Sequence, residues 1–159
     1  MVASVDDVTE LTALLGRPPS TDFAVVVRND TGDAVVIRNE PLARDGSPMP
    51  TRYWLVDRAL SVSVSRLEST GGVRAAEADV DPAALQAAHD AYAAERDAAI
   101  PAGHVGPRPH GGVGGTRKGV KCLHAHYAAF LVDGTDPVGA WVAARLGVSD
   151  SQPEGGEGR

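Results

Sequence analysis

A chain of 159 residues with 43% hydrophobic residues holds the material for one ordinary core and is too short for two comfortable domains. Its formal net charge of -6 argues against general nucleic-acid binding, which needs a broad basic surface. No apolar run approaches membrane-spanning length, the acidic stretch with Asp6, Asp7 and Glu10 does not read as a secretory signal, and a single cysteine excludes an internal disulfide framework, so a cytoplasmic chain without membrane insertion is expected.

Ser4 as N-cap, Val8, Leu11 and Leu15 at helical spacing, and Gly16 as a stop predict a first helix over 5–15. After Pro18 and Pro19, the β-branched runs Phe23 to Val27 and Ala34 to Ile37 flank the turn formers Asn29 to Asp33, which predicts a hairpin. A proline-containing loop over 40–50 leads to a third strand over 51–56, TRYWLV. Leu60, Val64 and Leu67 then favour a helix that stops at Gly71 and Gly72, while the β-branched content keeps a strand open.

Asp81 followed by Pro82 is an N-cap with a first-turn proline, and the alanine-rich run predicts a helix to about Ile100. Residues 103–119 have no period and read as a long loop, a feature often tied to function in a small domain. Helical spacing returns over 120–132 and stops at Gly134; Asp136 and Pro137 start a last helix ending near Gly147. The expectation is α+β: a small antiparallel sheet of about three strands, including the hairpin, packed with about five helices, as one domain over 1–148 with a disordered tail over 149–159.

The densest chemistry lies in His110 to Tyr127, HGGVGGTRKGVKCLHAHY. A phosphate-binding Walker loop needs its lysine directly after the last glycine, whereas Lys118 precedes Gly119; a dinucleotide fingerprint from Gly112 needs glycine where Arg117 stands. What remains is general physics. Gly112, Gly114 and Gly115 free the backbone, and Thr116, Arg117, Lys118 and Lys121 crowd the start of a helix, where an anion is favoured and bare cations are not. The alternatives are a solvated basic loop or one tied to acidic side chains.

Cys122 and His126, four residues apart, are neighbours if both are helical, with His124 on the opposite flank. That pair offers a nucleophile with a base, a metal site if further ligands join it, or a structural cysteine beside a structural histidine. On the preceding helix His89, Tyr92 and Arg96 share a face, and a buried polar face must be hydrogen-bonded or open to a cleft. Arg96 either completes an anion site or pairs with a carboxylate, and Arg52 at the third strand is a similar candidate.

PTRYWLV at 50–56, SRLESTGGV at 65–73, HDAYAAERD at 89–97 and GPRPHGGVGGTRKGVKCLHAHYA at 106–128 resemble the bacterial domain-of-unknown-function 501 family, of actinobacterial type. The resemblance supplies no reaction and leaves any cofactor unknown. Such relatives often carry a cysteine shortly after the YWL strand, where this chain has Val56, Asp57 and Arg58. Together the residues point to a small anionic, phosphate-bearing ligand held between 111–119 and the preceding helix, with Cys122, His126 or His89 available for hydrolase or transferase chemistry. A protein-interaction domain with an acidic partner, or a metal-binding domain using Cys122 and His126, are the other readings.

Overall fold

The computed structural model describes residues 2–150. Helix α1 (Val5–Leu15) opens with a reciprocal cap in which Ser4 Oγ accepts the Asp7 N–H and Asp7 accepts the Ser4 N–H, and it closes at Gly16. Strands β1 (Phe23–Arg28), β2 (Ala34–Asn39) and β3 (Tyr53–Leu55) form an antiparallel sheet in that order. Asn29 Oδ1 ties the hairpin turn by accepting the Thr31 and Asp33 N–H groups. The third strand is shorter than expected at both ends; just before it, the Arg52 N–H donates to the Tyr92 hydroxyl at 2.6 Å.

Residues 58–69 resolve the helix-or-strand question as helix α2 (Arg58–Ser69), capped by Asp57. The glycines expected to end this region in a loop instead turn it into a further helix, α3 (Gly72–Asp79). Gly71 takes φ 86, and a Cβ on Gly72 would collide with the Leu67 carbonyl, so the pair makes a tight helix-to-helix corner that other residues could not. Helices α4 (Pro82–Ala98), α5 (Leu123–Asp133) and α6 (Pro137–Asp150) complete the chain. The α+β expectation holds, with six helices rather than about five among the described residues. Most of the tail expected from 149 onward lies outside the described residues.

Helix α5 is the centre of the molecule. Its buried Leu123 and Tyr127 join Val64 of α2, Ala76 of α3, Leu85 of α4 and Val138 and Val142 of α6 in the largest apolar cluster, while Ala128 packs on Val35 and Val36 of the sheet. The other side of the sheet is covered by α1 through Leu11, Phe23, Ala34, Ile37 and Val56. No described helix is long and apolar enough to cross a membrane.

Candidate functional site

The segment between α4 and α5 contains one 3-10 turn, Val113–Gly115, and is otherwise irregular. Irregular backbone near a core needs partners for its polar groups, and α4 supplies them. Arg96, 1% exposed, donates through Nη1 to the Gly111 carbonyl at 2.9 Å and the Pro50 carbonyl at 3.2 Å, and through Nε to Asp97 at 2.9 Å. His89 accepts the Val113 N–H at Nδ1 (3.1 Å) and donates Nε2–H to the Gly119 carbonyl (2.8 Å), which fixes its neutral tautomer. The loop lies so close to α4 that a Cβ on Gly112 would sit 2.6 Å from the His89 side chain.

The polar face of α4 and the glycine loop do meet, as the sequence suggested. Much of their polar capacity is spent on each other: Arg96 uses Nε and Nη1 on Asp97 and backbone carbonyls, and both His89 ring nitrogens hold backbone. Arg52 is engaged likewise, with Nε and Nη2 on Glu95 and Nη1 on the Asn39 carbonyl. Tyr92 accepts the Arg52 and Tyr53 N–H groups, and burial pushes its phenol up to about 12 against the opposing pull of those donors.

Helix α5 starts three residues later than its spacing suggested, at Leu123, with Cys122 extended before it (φ -150, ψ 123). The anion at this helix start is the protein's own. Glu68, from the end of α2, accepts the Leu123 N–H at 2.8 Å, and Glu77 of α3 accepts the Val120 N–H at 3.0 Å. Thr116 turns its hydroxyl to the Lys118 carbonyl, while Arg117, Lys118 and Lys121 are exposed and form no ion pair among the described residues.

The late start reverses the expected pairing. Because Cys122 is extended, its sulfur meets His124 Nδ1 at 3.8 Å instead of His126, and Glu68 Oε1 reaches the same Nδ1 at 3.2 Å. His124 donates Nε2–H to the Ser61 carbonyl at 3.0 Å, with Ser65 Oγ at 3.1 Å. The neighbouring Cys122 sulfur foremost, then the Ser61 carbonyl and the Glu68 carboxylate, raise the His124 pKa to about 9 against the effect of partial burial. His126 is fully buried, donates Nδ1–H to Asp136 at 2.8 Å, and lies edge-on to the His89 ring; its Nε2 has no hydrogen-bond partner among the described residues. Asp136 in turn accepts the Val138 and Gly139 N–H groups at the start of α6.

Two grooves flank this segment. One, about 390 Å³, is lined by Gln86, His89, Asp90, Arg96, Asp97, His110, Gly112 and Arg117. The other, about 340 Å³, has an apolar floor of Leu15, Tyr53, Trp54, Leu55, Val56 and Ala125, with Gly114, Lys121, Cys122 and His124 at its side. Gly112 and Gly114 thus serve different grooves, Gly115 packs beside Pro50, and His126 lines neither groove.

Glu68 and Glu77 are the residues that sequence reasoning passed over, and Asp136 was read as a helix start but not as the partner of His126. Glu68 did leave a signal, since an acid in the last turn of a helix opposes the helix dipole and implies a compensating partner. A family model described as Protein of unknown function (DUF501) matches residues 25–144. No curated protein and no solved structure matches the chain.

Proposed function

The chain belongs to the DUF501 family, and we propose that its domain binds a small ligand with an anionic head, phosphate or carboxylate, and an apolar body in the groove between β3 and the start of α5. One observation carries this reading: the groove combines an apolar floor with Lys121, a cation without an ionic partner among the described residues, and no described carboxylate lines it. Its volume is in the range of small-molecule sites. The opposite groove sets Asp90 and Asp97 against Arg96 and Arg117, so it offers an anion no net positive charge from these groups. The head group therefore lies beside Lys121, not at the Leu123 N–H that opens α5, which Glu68 already holds, nor at the Val120 N–H before it, which Glu77 holds. A cytoplasmic setting, where Cys122 stays reduced, is part of this proposal.

Of Cys122, His126 and His89, only Cys122 lines this groove. Any covalent step there would run through that thiol. Phenyl phosphate joins both features and is the probe of choice. Titration into 15N-labelled protein is expected to shift the Lys121, Ala125 and Trp54 amides, and Lys121→Glu should abolish the shifts. Shifts confined to His110, Gly112 and Arg117, or unaltered in Lys121→Glu, would refute the proposal.

A second reading, an acidic protein partner, is favoured by the exposed pair Arg117 and Lys118 together with Val105, which is 93% exposed. A stoichiometric complex that is lost on reversing the charge of Arg117 and Lys118, and kept in Lys121→Glu, would select it.

A further inference from the structure

The cluster of Glu68, Cys122 and His124 borders the same groove, but its argument does not depend on an anion binding there. Three different donor types, a carboxylate oxygen, a sulfur and an imidazole nitrogen, lie within 4.8 Å of one another. The nitrogen is 3.2 Å from the carboxylate oxygen and 3.8 Å from the sulfur. Bonds of about 2.0–2.3 Å at tetrahedral angles place zinc donors roughly 3.3–3.7 Å apart. The two separations from His124 Nδ1 are already close to those of a ligand set, and the sulfur and carboxylate lie within 4.8 Å of each other.

Each donor is also held from behind. His124 gives its Nε2–H to the Ser61 carbonyl, so it is Nδ1 that faces the cluster. Glu68 accepts the Leu123 N–H with Oε2 and turns Oε1 inward. Cys122, extended ahead of α5, has its sulfur against His124 and no other hydrogen-bond partner among the described residues. A thiol, an imidazole and one carboxylate suit a borderline ion such as zinc better than calcium or magnesium, which prefer oxygen ligands alone.

We propose that Glu68 Oε1, Cys122 Sγ and His124 Nδ1 bind one divalent transition-metal ion of zinc-like softness, with the remaining coordination position open to the groove that Cys122 and His124 line. Three protein ligands with a free position is the arrangement of a zinc site that takes up an exogenous ligand, whereas closed structural sites use four. The ligands come from the end of α2 and the start of α5, so the ion also joins two elements that already meet through the Glu68 cap.

The test uses the full chain, stripped of metal, with cobalt(II) and zinc(II) as probes and no phosphate present. One cobalt per chain should give a near-ultraviolet thiolate-to-cobalt charge-transfer band that Cys122→Ser removes. Zinc, measured against a chromophoric chelator, should bind one per chain and weaken by more than about 100-fold in Cys122→Ser and His124→Gln, beyond the 10–100-fold typical of groups that only orient a ligand. Glu68→Gln keeps an amide oxygen for the Leu123 N–H while weakening the metal donor, so it should lower zinc affinity in a folded chain; His104→Gln should not.

Absence of the cobalt band at one equivalent, or unchanged zinc affinity in both Cys122→Ser and His124→Gln, would overturn the proposal. If those variants do not fold, the wild-type chain decides: zinc should slow alkylation of Cys122 by iodoacetamide and a chelator should restore it, and equal rates would overturn it. Phenyl phosphate shifts that persist in chelator while the cobalt band is missing refute the metal alone. The converse result refutes the anion groove alone.

Discussion

Replacing Arg96 by methionine separates the two roles open to a buried arginine beside a glycine loop. Methionine retains the unbranched apolar stem but has no donor, so the Gly111 and Pro50 carbonyls, at 2.9 and 3.2 Å, lose their partner. Each unsatisfied buried acceptor costs about 1–3 kcal/mol. The Asp97 pair adds little, because that carboxylate is 43% exposed and exposed pairs contribute about 0–1 kcal/mol. Some water will reach the carbonyls, so the expected loss is about 3 kcal/mol, in the lower half of the combined range of about 2–6 kcal/mol for two acceptors. In a domain of this size that lowers Tm by about 6–12 °C.

Urea unfolding followed by circular dichroism measures the free energy, and hydrogen exchange at Gly112 and Val113 reports whether the loop has come away from α4. Phenyl phosphate affinity should change only as far as the folded fraction does. A stability loss below about 0.5 kcal/mol, the range of an ordinary surface substitution, together with a large loss of phosphate affinity, would refute the tether and make Arg96 a ligand residue.

Gly112→Ala places a Cβ 2.6 Å from His89 and should cost about 1–3 kcal/mol, as overpacking does; unchanged protection of the Val113 amide would contradict the close approach. An ultraviolet titration should show a tyrosine ionising near 12 that disappears in Tyr92→Phe. Since the folded phenol is raised above the usual 10, the folded state retains a proton that the unfolded chain releases, and this contribution to stability falls as pH rises from about 10 towards 12. For Asp7, hydrogen bonds from the Ser4 backbone foremost, and then from Arg28 and the Ser4 hydroxyl, lower its pKa, so its contribution is present above the usual carboxyl range and is lost as pH falls through the depressed folded value. Carboxyl-carbon NMR should find a midpoint below 3.8 that rises in Arg28→Ala.

Local signals in the sequence were read well where local chemistry decides the structure. Ser4 and Gly16 bound α1, Asp81 with Pro82 starts α4, and Asn29 closes the hairpin; these depend on interactions within a few residues. The helix after Gly71 was missed because a glycine pair signals a turn without saying whether a loop or another helix follows. The start of α5 was misplaced for a different reason. Helical spacing over 120–132 is satisfied equally well by a start at Val120, and only the distant carboxylates of Glu68 and Glu77 determine that the chain stays irregular to Cys122. That shift of register alone exchanges His126 for His124 as the partner of Cys122. The concentration of chemistry around residues 111–126 was legible, whereas the partners of its polar side chains were not, since Arg96, His89 and Arg52 bind backbone that no pattern of residue types identifies.

The two borrowed caps also bear on the order in which the chain folds. A helix capped by its own neighbours can close its first turn unaided, but Glu77 and Glu68 stand 43 and 55 residues before the N–H groups they hold. Closing segments of that length costs entropy that grows with the logarithm of their length and must be met before either contact forms. The first turn of α5 therefore settles only after α2 and α3 have returned against it, making the junction that contains Cys122 a late product of folding. Contacts that depend on that junction, the approach of the Cys122 sulfur to His124 among them, follow the same order.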